Sequence, residues 1–229
     1  MRTFVLLLTA VAANVLFAAN EPNIQPNPAR FRGEIAEFQQ WDSKNSFPAD
    51  AVLFVGSSSI KMWPTRMSFP DLPVINRGFG GSHISDINFY FKQVVLPYKP
   101  KVIVFYAGDN DIAAGKNAQQ VLEDFKRFVN LVKEQLPRTQ IIFISIKPSN
   151  SRWNFQPVMQ QANDLIRGFC ENDNRLVFVD AGSVLLNADG KPNDGYFLED
   201  KLHLNERGYQ LWTQALRPAI EREFAHKGV

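Results

Sequence analysis

Three serines follow a glycine in "VLFVGSSSIKMW", residues 52–63, at the point where an apolar run stops. A hydroxyl placed there can cap the next helix, line a phosphate cradle or act as a nucleophile. A serine nucleophile requires a base to take its proton, a group to orient that base, and donors for the oxyanion that forms. The chain has three histidines: His83 after the pair Gly80–Gly81, His203 three residues after Asp200 in "DKLH", and His226 in the C-terminal tail. A carboxylate at the Asp200 spacing, on a turn, can reach the ring nitrogen that faces away from the serine, setting the tautomer and stabilising the imidazolium. Candidate oxyanion donors are the backbone N–H of the serine at a helix start, that of Gly81, which has no side chain to obstruct approach, and the side-chain amide of Asn110 in "GDND".

The phosphate readings are weaker. "GSSSIKMW" lacks the second glycine of a Walker loop and ends in Trp63, and "GFGGSH" places His83 where a dinucleotide fingerprint needs glycine or alanine. Helix capping by Ser58 or Ser59 remains compatible with a free hydroxyl. Asp109 and Asp111 do not complete a calcium loop and read as solvated or capping carboxylates; "NADGKPNDG" misses the spacing too and reads as a turn-rich loop. No metal and no organic cofactor is expected. His83, Arg152 and Trp153 are candidates for the substrate border, with a structural or surface role equally open to each.

These residues need a frame. Apolar runs at 51–55, 73–76, 101–107, 140–146 and 175–179 alternate with helical patterns near 84–96, 118–136, 157–172 and 206–225. "VIVFY" and "IIFISI" are continuous and rich in β-branched residues, as in strands covered on both faces. An amphipathic helix carrying Phe31, Ile35, Phe38 and Trp41 precedes them. Strand and helix in alternation predict an α/β fold, a parallel sheet between two helical layers. Ligands then bind outside the carboxyl ends of the strands. "GSSSI", "NRGFGGSH" and "YAGDNDIAAG" follow the first three strands, and "FLEDKLHLNERGY" precedes the last helix.

Composition sets outer limits. With 229 residues, 45% hydrophobic and 21% charged, the chain suits one globular core. A net charge of +2 without a basic run gives nucleic-acid binding no electrostatic support. Residues 1–19 combine Arg2, an apolar stretch from Phe4 to Phe17 and the small Ala18 and Ala19, the layout of a cleaved signal peptide. The stretch is shorter than the roughly 18–20 residues that span a bilayer and contains Asn14, so no lasting membrane span is expected. A secreted or periplasmic protein follows. Cys170 is the only cysteine, which rules out an internal disulfide; it reads as a small buried apolar residue. Residues 20–29, rich in proline and asparagine, read as a flexible lead-in to a domain at 30–229. Nothing in the sequence sets the oligomeric state.

The four polar segments resemble, in order, the blocks of the SGNH hydrolases, also called GDSL-type esterases and lipases. "FVGSSSI" resembles the first block, with Ser58 on the nucleophile; "NRGFGGS" the second, with Gly81 as the oxyanion glycine and Gly80 the fallback; "YAGDND" the third, with Asn110; "DKLHLNERGY" the last, with Asp200 and His203. The similarity covers residues 50–215 and extends to the family's small single-domain members, the platelet-activating-factor acetylhydrolase-like branch among them. It implies a flavodoxin-like three-layer α/β/α sandwich with a five-stranded parallel sheet. One departure stands out: the first block usually reads Gly-Asp-Ser-Leu, and Ser57 replaces the aspartate. That leaves a register question among Ser57, Ser58 and Ser59, in which spacing from the glycine favours Ser58. Gly-x-Ser-x-Gly is not satisfied either, because Ile60 occupies its last position.

The expectation is a serine esterase for small ester or acylated-glycan substrates, with a Ser58–His203–Asp200 triad and a Ser58, Gly81 and Asn110 oxyanion hole. Short loops favour short acyl groups. The rival readings are a non-catalytic carbohydrate- or acyl-binding protein on the same fold, and an acyltransferase.

Overall fold

The apolar runs form five parallel strands: β1 (Val52–Gly56), β2 (Val74–Gly78), β3 (Val102–Tyr106), β4 (Gln140–Ile144) and β5 (Leu176–Val179). The computed structural model describes residues 26–225, so the leader assigned to residues 1–19 and the tail residue His226 lie outside the described residues. Strand order is β2-β1-β3-β4-β5. The chain leaves β1 for one edge and returns to build the other, which opens a crevice beyond the carboxyl ends of β1 and β3.

Helices in chain order are α1 (Arg32–Asp42), α2 (Ser58–Lys61), α3 (Thr65–Ser68), α4 (Ile84–Phe89), α5 (Phe91–Val94), α6 (Asp109–Ala113), α7 (Ala118–Gln135), α8 (Gln156–Cys170) and α9 (Glu206–Ala225). Alternation along the strands sorts them into two layers. Leu53, Val55, Ile103, Phe105, Ile141 and Phe143 face a core shared with α1, α4, α5, α7 and α8. Val52, Phe54, Val104, Tyr106, Ile142 and Ile144 face α2 and α9. The expected α/β/α sandwich is therefore the observed fold.

Local sequence explains the long helices. Asn117 and Gln120 form a capping box at the start of α7, whose Val121, Leu122, Phe125, Phe128, Val129 and Val132 are buried at three- and four-residue intervals. Cys170 ends α8 as a buried residue, its thiol pushed up to about 12 by burial. On the other face Trp212 lies fully buried in α9, with ring centroids 5.6 Å from Trp63 and 5.1 Å from Tyr106. The Tyr209 hydroxyl donates to Ser59 O at 3.0 Å, tying α9 to α2.

Two helical expectations change. The pattern at 84–96 breaks at Tyr90 (φ −92, ψ 13) into α4 and α5, followed by a 3-10 turn at Leu96–Tyr98 that contains Pro97. Proline there cannot donate to a continuing helix. Trp41 does not join the inward face of α1: Ile35 is buried, whereas Trp41 is 68% exposed. Residues three apart drift backward around a helix, so two such steps carry Trp41 about 120° from Ile35.

At the front of the described chain, Asn27 Oδ1 accepts from Ala29 N at 2.9 Å and Pro28 O accepts from the Tyr90 hydroxyl at 2.9 Å.

Candidate active site

Register brings three strand ends level: Gly56 pairs with Gly78 on one side and with Tyr106 on the other. Gly56 is required there, since a Cβ would stand 2.0 Å from Tyr106 O. The chain then turns at once, with Ser57 N donating to Tyr106 O at 3.0 Å. Ser57 is the N-cap of α2, in extended conformation (φ −84, ψ −161) and without a side-chain cap bond. The expectation that Ser58 or Ser59 caps the helix is thus corrected. The turn comes one residue earlier, making Ser58 the first helical residue and leaving the buried Ser57 Oγ without a hydrogen-bond partner.

Of the three serines, it is Ser58 whose Oγ lies 2.9 Å from His203 Nε2. The other ring nitrogen, Nδ1, lies 2.6 Å from Asp200 Oδ2. Lys201, at φ +52, makes the turn between them, and Asp200 Oδ1 accepts from Leu202 N at 2.9 Å and His203 N at 3.0 Å. Partial desolvation alone would raise the Asp200 carboxyl; the bonds from the His203 ring and from these backbone N–H groups outweigh it and draw it down to about 2. The segment is held from behind by Leu198 N donating to His203 O at 2.8 Å and by the bridge between Phe197 and Leu204.

Past β2, Gly81 adopts φ +77, and a Cβ there would meet nothing within 4 Å. Backbone conformation, not crowding, favours glycine at this position. Arg30 Nη2 clamps the loop, lying 3.5 Å from Gly81 O and 2.6 Å from Asp86 Oδ2, and the same carboxylate oxygen accepts from His83 N at 2.9 Å. Among the described residues no acceptor takes the N–H of Ser58 or of Gly81. Past β3, Asn110 Nδ2 donates to Ser82 O at 3.1 Å and Asn110 Oδ1 accepts from Arg152 Nη2 at 2.9 Å.

The flanking aspartates differ from the sequence expectation. Asp109 is 3% exposed and Asp111 fully buried, so neither is a solvated carboxylate. Charged partners account for this. Asp111 accepts from Ile84 N at 3.2 Å and from Lys116 Nζ at 2.8 Å, and Lys116 also pairs with Asp124 at 2.6 Å. Desolvation pushes Asp111 up to about 6 against the pull of Lys116. Asp109 pairs with Arg152 Nη1 at 3.0 Å, and the buried Lys147 Nζ stands 3.7 Å from the same oxygen. Burial lowers the Lys147 ammonium, and Asp109 opposes that shift. Lys147 stands just past the end of β4 in "IIFISIKPSN", so the rule that sites gather at strand ends already marked its position.

His83 is buried as well, its Nδ1 3.8 Å from Asp111 Oδ1, and burial with nearby Lys116 and Arg30 holds it down at about 4. Trp153 is partly buried, with Lys191 Nζ 5.6 Å from its ring. Among the described residues no group of three His, Cys, Asp or Glu side chains could hold a metal ion. A groove of about 730 Å³ lies one residue from His203, lined by Met62, Met67, Leu198, Leu204 and Tyr209 among others.

Comparison with known proteins bears on the chain as a whole. It is 28% identical over 192 residues to platelet-activating factor acetylhydrolase IB subunit alpha1 of Homo sapiens, covering 80% of each chain. A solved structure from Streptococcus pneumonia, assigned as a platelet activating factor, superposes with a TM-score of 0.74 at 21% identity, over 84% of this chain and 94% of that one. A GDSL-like lipase from Bacteroides thetaiotaomicron does so with a TM-score of 0.68 at 21% identity, over 86% and 98%. At such identities the two structures speak for the fold. A profile of the GDSL-like lipase/acylhydrolase family matches residues 58–211, from the serine after β1 into α9. That match spans more than half of the chain, and the protein therefore belongs to the GDSL-like lipase/acylhydrolase family, as an enzyme that hydrolyses esters.

Proposed function

We propose that the enzyme cleaves short-chain carboxylic esters, O-acetyl esters of glycans among them, with Ser58 as nucleophile, His203 as base and then acid, and Asp200 as the group that orients it. The observation that carries this reading is the His203 ring, within hydrogen-bond reach of Ser58 Oγ at 2.9 Å and of Asp200 Oδ2 at 2.6 Å. His203 Nε2 takes the Ser58 proton as Oγ attacks the ester carbonyl. The oxyanion is received by the Ser58 and Gly81 N–H groups and by Asn110 Nδ2. His203 then gives its proton to the leaving alcohol. Water, deprotonated by the same imidazole, attacks the acyl-serine and releases the acid. Asp200 stays ionised throughout, since its carboxyl lies far below neutrality.

Short acyl groups are favoured by the short loops and by the acetylhydrolase named among the relatives. A second reading, a longer chain, is favoured by the apolar groove beside Leu204. Hydrolysis of a p-nitrophenyl ester series, acetate through octanoate, decides between them through the trend in kcat/KM. In the same series Ser58→Ala is expected to lose about 10⁶-fold in kcat, as removal of a triad serine does elsewhere. Turnover that survives the substitution would remove Ser58 from the reaction. Ligand binding without any wild-type turnover would favour the binding-protein reading, and an acylated acceptor among the products the acyltransferase. The leader-like residues 1–19 support export, which N-terminal sequencing of the mature protein tests.

A further inference from the structure

The Asn110 carboxamide can serve an oxyanion only if its nitrogen, not its oxygen, faces the site. An amide side chain can be rotated either way, and its neighbours decide the orientation. Here two neighbours on opposite ends agree. Ser82 O, an acceptor, lies 3.1 Å from Asn110 Nδ2, and Arg152 Nη2, a donor, lies 2.9 Å from Asn110 Oδ1. Flipping the amide would set donor against donor and acceptor against acceptor. One Nδ2 hydrogen is used on Ser82 O, which leaves the other for a ligand.

Arg152 is itself held. Its Nη1 pairs with Asp109 Oδ2 at 3.0 Å, and Asp109 Oδ1 accepts from the Asn110 backbone N–H at 3.0 Å. Guanidinium, carboxylate and carboxamide thus close a ring around the first turn of α6. Asp109 is 3% exposed and the Arg152 side chain 17%, so water competes weakly for the ion pair and the hydrogen bonds of this ring. The buried Lys147 ammonium, 3.7 Å from Asp109 Oδ2, faces the same carboxylate. A guanidinium presents two nitrogens at once, Nη2 donating to the Asn110 oxygen and Nη1 ion-paired with Asp109, which a lysine ammonium at that position cannot do. The segment bearing Arg152 leaves regular 3-10 geometry at this residue alone (φ −122, ψ 22), within Asn150–Phe155.

We propose that Arg152 is the positioning residue for Asn110: anchored on Asp109, it locks the carboxamide with Nδ2 toward the ester's developing oxyanion, and its charge polarises the amide into a stronger donor. This rests on the reading of Asn110 as an oxyanion donor. Arg152 does not touch the reacting atoms; it acts through Asn110.

The test is a double-mutant cycle on p-nitrophenyl acetate, with kcat, KM and thermal midpoint measured for each variant. Asn110→Ala is expected to lower kcat by about 10²–10³. Arg152→Ala is expected to lower kcat by up to about 10² with KM unchanged, the scale of a misplaced catalytic group. The double variant is expected to be no slower than Asn110→Ala alone. Guanidinium ion, added below unfolding concentrations, is expected to restore rate to Arg152→Ala and none to the double variant. Unchanged kcat in Arg152→Ala, or losses that multiply in the double variant, would overturn the proposal while leaving Asn110 in the mechanism. Unchanged kcat in Asn110→Ala would overturn both together. Should Arg152→Ala fail to fold, Arg152→Lys decides: it keeps a charge beside Asp109 but cannot span to Asn110, and wild-type kcat in it would sink the proposal.

Discussion

Asp200 and Asp111 stand beside two loops of the same site and behave in opposite ways. Asp200 is 46% exposed by side chain, accepts from two backbone N–H groups and the His203 ring, and is drawn down to about 2. Asp111 is fully buried, accepts from Ile84 N and the Lys116 ammonium, and is pushed up to about 6. Exposure makes the difference. Near water a carboxylate keeps its charge at little cost, and hydrogen bonds then secure it for the imidazolium of the proposed mechanism. Without water the charge must be matched by a buried cation, and what results is a brace for the loop from Ser82 to Ile84. In the proposed mechanism one carboxylate serves chemistry; the other serves architecture.

The widest separation between the two is expected from Asp200→Asn. Losing the charge and the tautomer preference should cost about 10⁴ in kcat, as in other triads. Because the side chain is half exposed, the thermal midpoint should barely move; a large fall would place Asp200 with the structural residues instead. Lys116→Met is the converse experiment. It strands Asp111 and Asp124 without their shared ammonium, and breaking a buried ion pair from one side costs about 3–5 kcal/mol. Urea unfolding measures it, and a change within experimental error would mean that these carboxylates are not held as charges by Lys116.

The smallest effect concerns His83, within the same loop. Burial, with Lys116 and Arg30, lowers it from its usual 6.5 to about 4. Between those values the unfolded chain binds more protons than the native protein, so this histidine's contribution to stability is present above about pH 6.5 and is lost as pH falls toward about 4. Asp111 acts in the overlapping window with the opposite sign. Its carboxyl is raised from 3.8 to about 6, so the native state binds the extra proton and stability declines as pH rises through that range. The two partly cancel in the wild type. His83→Gln should therefore unmask the Asp111 slope, with stability that falls more steeply from pH 4 to 6 than in the parent. A variant whose pH profile merely parallels the wild type would show that His83 does not titrate in that window.

Much of this was readable in advance because it is local. The five strands stand out as short apolar runs, and α7 as a helical pattern near 118–136. Asp200 and His203 are three residues apart on one turn, so their pairing depends on nothing distant. The places where reading failed were also instructive. Trp41 kept helical spacing and still faces water, because a three-residue step drifts around the helix. Asp109 and Asp111 looked solvated, because an acidic pair in a glycine-flanked turn carries no sign of the lysines and arginine that bury it.

By itself the sequence determined the layers, the order of the site-bearing loops, and the residue types a serine esterase needs. Tertiary structure brought Ser58, which its spacing from the glycine already favoured, to the histidine across 145 residues, and it alone decided which cation, 42 residues along the chain, holds the Asn110 amide. Burial and long-range contact are properties of the packed chain. No window of neighbouring residues contains them, since each depends on which strand ends the sheet brings level.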